Sequence, residues 1–153
     1  MEIKCITKYS AEHYKLLLTA DPDLQMVEGY LPKSIGFQLV DGDQVVGIVL
    51  LVPMNSKKIE LKNIAVRPDY QHKGLAQKLI KNVLRYAKQH EFSEMIVGTG
   101  STSFEQLYLY QKMGFRCFAI RVDFFSDNYK KPIVENGLRL HDMILLRQKI
   151  TND

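Results

Sequence analysis

A polar turn, Gln71-His72-Lys73-Gly74, lies between an apolar strand end, Asn63-Ile64-Ala65-Val66, followed by Arg67-Pro68-Asp69-Tyr70, and a segment of helical periodicity. That arrangement suits an anion. A glycine at a strand-to-helix turn lets backbone come close to a ligand. The helix start presents N–H groups without intrahelical partners and the positive end of the macrodipole, where phosphate is favoured. Lys73 and His72 add charge or donors beside it. The chain has neither G-x-x-x-x-G-K-[ST] nor G-x-G-x-x-G, so this is not one of the common phosphate loops. The residues alone give a candidate pyrophosphate cradle over Gln71, His72, Lys73, Gly74, Leu75 and Ala76.

The elements that must hold this turn are legible on both sides. Leu75, Ala76, Leu79, Ile80, Val83, Leu84 and Ala87 recur at three- and four-residue steps, one face of an amphipathic helix over Gly74–Gln89. Lys78, Lys81, Arg85 and Lys88 fill the opposite face. Before the turn, Lys58 to Val66 alternates, with Ile59, Leu61, Asn63 and Ala65 on one side and Glu60, Lys62, Ile64 and Val66 on the other. Val45 to Val52 is nearly continuous apolar sequence, as expected of a central strand. Asp41-Gly42-Asp43 reads as the hairpin joining it to a strand over Gly36–Val40. Upstream, residues 2–8 form a strand, Ser10 caps a helix over 11–20, Asp21-Pro22-Asp23 breaks it, and 24–31 form a shorter helix. Downstream, the order is a strand at Met95–Thr99, a helix over 104–112 stopped by Gly114, a strand over Phe115–Phe125, a polar loop over 126–137, and a final strand over Leu138–Ile150.

A 153-residue chain with 46% hydrophobic and 25% charged residues fits one globular domain, 1–153, with a substantial core. The net charge of +4 is spread without a run of basic residues, which argues against nucleic acid as a partner. Cys5 and Cys117 have neither metal spacing nor disulfide density. His13, His90 and His141 lack partners at ligand spacing, so no metal is expected. The opening Met1-Glu2-Ile3-Lys4 is strand-like, not a basic-then-apolar leader, and the longest apolar run is too short to span a bilayer. A cytoplasmic protein is therefore expected.

Gln71-x-x-Gly74-x-Ala76 resembles the [Q/R]-x-x-G-x-[G/A] signature of the GNAT superfamily of N-acetyltransferases. A second block, Leu109-Tyr110-Gln111-Lys112-Met113-Gly114-Phe115, resembles that family's L-Y-x-x-x-G-F element. The run from Gly98-Thr99-Gly100 through Ser103, and Glu135-Asn136-Gly137, are similar to a bacterial subgroup of small members. The resemblance implies an α/β fold, a mixed, mostly antiparallel sheet of about seven strands flanked by about four helices. Its fourth and fifth strands part to admit the pantetheine of acetyl-CoA, the co-substrate. Ile64, Ala65 and Val66 would pair with pantetheine through backbone, and an amide N–H of Ile64 or Ala65 would polarise the thioester carbonyl.

The same resemblance implies roles for two side chains. Glu60 lies where several members carry a glutamate base, to remove a proton from the amine; otherwise it is a surface glutamate beside Lys58 and Lys62. Tyr110 corresponds to the family's proton donor to the CoA thiolate; otherwise it packs in the core. Tyr108 is a cofactor contact or buried packing. Ser101 stands where the subgroup commonly has asparagine and is a candidate contact to a pantetheine amide. Met26, Val27, Tyr30 and Leu31 form core, the default for such a stripe, or line an acceptor pocket; acceptor recognition is also expected from Phe124, Phe125, Asp127, Tyr129, Glu135 and Asn136. The loop over 126–137 otherwise packs on the sheet or forms a homodimer contact. The activity expected is acetyl transfer to a primary amine by direct attack in a ternary complex; the alternative is an acyl-CoA-binding module without turnover.

Overall fold

The computed structural model describes residues 1–151; the last two positions of the domain expected over 1–153 lie outside the described residues. In chain order the elements are β1 (Glu2–Cys5), α1 (Ala11–Ala20), α2 (Leu24–Tyr30), β2 (Ile35–Asp41), β3 (Gln44–Pro53), β4 (Lys58–Val66) and α3 (Leu75–Gln89). They continue with β5 (Glu94–Gly100), α4 (Phe104–Lys112), β6 (Arg116–Arg121), α5 (Phe124–Asn128), β7 (Val134–Glu135), β8 (Leu138–Arg139) and β9 (Met143–Lys149). Seven strands form one mixed sheet in the order β1-β2-β3-β4-β5-β9-β6, and β7 and β8 form a separate hairpin. β4 and β5 pair in parallel across the α3 crossover, while the other neighbours are antiparallel. No helix among the described residues is long and apolar enough to cross a membrane.

Each face of the sheet carries its own core. On one side Leu79, Ile80, Val83 and Ala87 of α3 bury against Val49, Leu51, Ile59 and Leu61. Each fully buried aliphatic side chain is worth about 1.5–3 kcal/mol, so this stripe anchors the helix whose start forms the turn. α3 comes close to the strands at Gly47, where a Cβ would meet Leu79 Cδ1 at 3.2 Å. On the other side Leu16, Leu17 and Val27 of α1 and α2 bury against Ile48, Leu50 and Ala65.

β4 does not alternate throughout. Leu51 faces Leu61 and Leu50 faces Asn63 across the ladder, so Lys62 is an extra residue in the register. Such a bulge turns the following residues over. Ile59 and Leu61 bury on the α3 side, but Ala65 buries on the α1 side, and Ile64 and Val66 pack on the α3 side. Asn63 therefore shares the α1/α2 side with Glu60, contrary to plain alternation. β4 also loses its parallel partner here: its pairing with β5 stops at Leu61–Val97, although both strands continue. A gap opens between 62–66 and 98–100.

The C-terminal third differs from the expected long strands. β6 ends at Arg121 because Asp123 takes a left-handed φ of 59° and donates its N–H to Asp142 Oδ1 at 2.8 Å. The aromatic residues that follow form α5, a fifth helix. The loop expected over 126–137 contains the end of α5, then β7 and the turn into β8 at Asn136-Gly137, with φ 54° and 74°. That Asn-Gly pair is a two-residue hairpin signal. The final strand is interrupted because Leu140 turns into the core, 3% exposed, with its N–H donated to Ile133 O.

Candidate active site

The donor side is built by the exit of β4. Arg67 N–H donates to Val46 O at 2.8 Å, a short 3-10 turn follows over Pro68–Tyr70, and the Gln71 amide folds back to donate to Val66 O at 2.9 Å. His72 and Gly74 then take left-handed φ of 62° and 78°, conformations that glycine adopts without a Cβ penalty. Gly74 stands at the N-cap of α3, no side chain among the described residues caps that helix, and its first turn carries no acidic residue. A Cβ at Gly74 would meet nothing within 4 Å. The helix start thus opens onto free space. A cavity of ≈ 600 Å³ lies against it, walled by Ile64, Ala65, Val66, Gln71, His72, Gly74, Leu75 and Ala76, with Phe104, Tyr108 and Leu109 of α4 opposite. Unsatisfied amides, a positive helix end and an open glycine are what a pyrophosphate needs.

A second cavity of ≈ 380 Å³ lies beyond the gap. The two share Thr19, Ala20, Ile64 and Gln106 as walls. Glu60, Lys62 and Asn63 enter it from β4, and Tyr110 enters from the core layer that also holds α3. The parting of β4 and β5 is what lets side chains from opposite layers reach one space. Lys62 Nζ lies 3.6 Å from Glu60 Oε2 and 5.3 Å over the Tyr30 ring. Tyr110 is 4% exposed, packed edge-on against Phe115 at 5.9 Å. Burial alone pushes its phenol far above the ordinary tyrosine value, so the hydroxyl keeps its proton at neutral pH.

The far wall joins the two ends of the chain. Asp21 accepts from Tyr30 through Oδ2 and from Tyr129 through Oδ1, each at 3.0 Å. Burial and then the Asp21 charge hold the Tyr129 phenol protonated. For Tyr30, burial raises the phenol and a hydrogen bond from Asn63 works in the opposite direction. Glu135 of β7 accepts from Ser103 Oγ at 2.7 Å, and Asn136 Nδ2 donates to Thr102 O at 2.8 Å, so the β7–β8 hairpin is pinned to the start of α4. Ser103 stands at the N-cap of α4, but its hydroxyl donates to Glu135 and makes no cap bond.

Most expected site residues line one cavity or the other, but some do not. Lys73 lies outside both walls, with Nζ 5.2 Å over the Tyr70 ring. Ser101 also lies outside both, its N–H donated to Asp142 O at 3.0 Å. Of the early acceptor candidates, Met26 and Tyr30 face the second cavity, while Val27 and Leu31 belong to the core. Phe124, Phe125, Tyr129 and Glu135 line it; Asp127 and Asn136 do not. Tyr108 is exposed and walls the donor cavity. Two wall residues carry no site signal in the sequence. Asp21 reads as a helix breaker, and Asn63 as one apolar-side position of an alternating strand.

The comparisons with known proteins agree with this geometry. Residues 6–115 match the model of the acetyltransferase (GNAT) family. An uncharacterized N-acetyltransferase, YvbK of Bacillus subtilis, is 38% identical over 135 residues, 88% of this chain and 87% of the relative. A GNAT family acetyltransferase from Elizabethkingia anophelis, solved with acetyl-CoA bound, superposes with TM-score 0.93 at 39% identity over 97% of both chains. A Bacillus subtilis acetyltransferase solved with CoA superposes with TM-score 0.92 at 35% identity, over 97% of this chain and 98% of its own.

Proposed function

Since the chain belongs to the acetyltransferase (GNAT) family, we propose that it transfers acetyl to a primary amine by direct attack in a ternary complex. It is an acyltransferase with acetyl-CoA as co-substrate. The observation that carries the reading is the meeting of the two cavities at Ile64. A thioester laid along the unpaired edge of β4 meets an amine entering from the other side. The pyrophosphate rests on the backbone of Gln71–Ala76, where the open glycine and uncapped helix start support it. An amide N–H of Ile64 or Ala65 polarises the thioester carbonyl.

An alkyl ammonium must lose a proton before it can attack. Glu60, directly or through water, takes that proton. The neutral nitrogen adds to the carbonyl carbon, the C–S bond breaks, and sulfur leaves with the bonding pair. Of the two protons the nitrogen gives up, one ends on sulfur by way of Tyr110 and the other passes to solvent. The Lys73 side chain and Ser101 take no part in this reading, since neither residue lines a cavity; Lys73 contributes only its backbone. The domain spans 1–153. A cytoplasmic setting is supported by two exposed free thiols, Cys5 and Cys117. A homodimer is supported by exposed Phe118 and Ile120 on edge strand β6, and sedimentation tests it.

The test of the base is Glu60→Gln. With an alkylamine acceptor, kcat/KM at pH 7 should fall about 100-fold. The deficit should shrink as pH rises toward the amine's own pKa, where the acceptor arrives neutral. A deficit constant with pH removes Glu60 from the proton path.

A further inference from the structure

The second cavity contains a group that transfer to an unspecified amine leaves unexplained. Asn63 is 4% exposed and lines the cavity. Its Nδ2 donates to Leu17 O at 3.1 Å and to Tyr30 Oη at 3.0 Å. A peptide carbonyl only accepts, so Leu17 fixes which end of the amide is nitrogen. Oδ1 is then left buried, with no hydrogen-bond partner among the described residues. A buried acceptor without a donor is costly, and Asn63 stands beside the space an acceptor would enter, where a ligand N–H or O–H would offset that cost.

The charges around it select the donor. Asp21, Glu60 and Glu135 line the cavity, against a single cationic side chain among the described residues, Lys62, already paired with Glu60. Asp21 and Glu135 have no cationic partner among the described residues; the Tyr30 hydroxyl links Asp21 to Asn63, and Glu135 stands on β7. Phe125 and Tyr129 supply aromatic faces in the same cavity, which favour a cation. A volume of ≈ 380 Å³ is at the small end of ligand sites. An acceptor bearing a carboxylate would bring a fourth negative group into this space.

Building on the acetyl-transfer reading, we infer that the acceptor is a small aliphatic diamine without a carboxylate. Its reacting amine donates to Asn63 Oδ1 beside Glu60. Its second amine stays an ammonium among Asp21, Glu135 and the two rings. Asn63 is a specificity-determining residue, placed there by the bulge at Lys62. The chemistry is the amide formation already described, with the distal ammonium unchanged throughout.

The experiment compares CoA release with 1,4-diaminobutane, butylamine and 4-aminobutanoate, which share a chain and differ at the far end. The intact protein should show kcat/KM for the diamine about tenfold or more above butylamine, and about 100-fold above 4-aminobutanoate. Glu135→Gln, which keeps an acceptor for Ser103, should lower the diamine-to-butylamine ratio at least about fivefold, mainly through KM. Equal kcat/KM for the three, turnover of other amines but not these, or an unchanged ratio in Glu135→Gln overturns the inference and leaves acetyl transfer standing. CoA binding by titration with no turnover on any amine overturns the reading beneath it. The comparison of substrates on the unmodified protein does not depend on any variant folding.

Discussion

Burial holds the proton of Tyr110, the side chain proposed to serve the departing thiolate. Its phenol is raised by desolvation, without help from a neighbouring charge. A thiolate appearing nearby would be the strongest acceptor available to it, and a protonated phenol can stabilise that thiolate by hydrogen bonding or full transfer. The ring has a separate task, packing against Phe115, and phenylalanine preserves that packing. Tyr110→Phe should therefore fold normally and bind CoA within about twofold of the original. Its kcat should fall about 100-fold. Steady-state kinetics beside a CoA titration check this, and near-original turnover would end the donor assignment.

At the scale of elements, the strand–turn–helix unit β4–α3 was readable because each part has a local cause. Period 3.6 marks α3, and Gly74 marks the left-handed turn. The same locality explains what was not readable. The bulge at Lys62 arises from how β4 pairs with β3, a tertiary fact, and it alone moves Asn63 onto the Glu60 side. The long strand expected over Phe115–Phe125 yields to α5 because Asp123 meets Asp142, distant in sequence. By contrast Asn136-Gly137 carried a local hairpin signal inside what reads as a polar loop. Gly74→Val tests the turn. A β-branched residue at φ 78° is strained, and its side chain fills the space where phosphate oxygens would sit. Thermal unfolding should shift by only a few degrees, because the site is exposed and a Cβ meets nothing. CoA affinity should fall about tenfold or more. Unchanged affinity in a folded variant would remove the cradle.

Across the whole molecule, the two core layers meet at the gap between β4 and β5, and tyrosines line what lies beyond it. Tyr129 reaches back to Asp21, so the last third of the chain closes over the first. This arrangement has a consequence for stability at high pH. The phenols of Tyr110, Tyr30 and Tyr129 are all raised above their ordinary value, each first by burial. In the unfolded chain tyrosine loses its proton near pH 10. Above that pH the folded state holds more protons than the unfolded one, so stability falls as pH rises. The contribution is fully present below about pH 10 and is lost as pH climbs toward the folded-state values. For Tyr110, the most deeply buried of the three, the slope is about 1.4 kcal/mol per pH unit. Tyr30 and Tyr129 are less buried than Tyr110 and contribute less. Lysines also titrate in this range, so the informative quantity is a difference. Denaturant unfolding of the protein and of Tyr110→Phe from pH 9 to 11.5 should give parallel curves up to about pH 10. Above it the variant's stability should fall less steeply. Curves that stay parallel throughout would mean that the Tyr110 hydroxyl ionises as readily in the folded protein as in the unfolded chain, and that the proton it is assigned to donate is not held by burial.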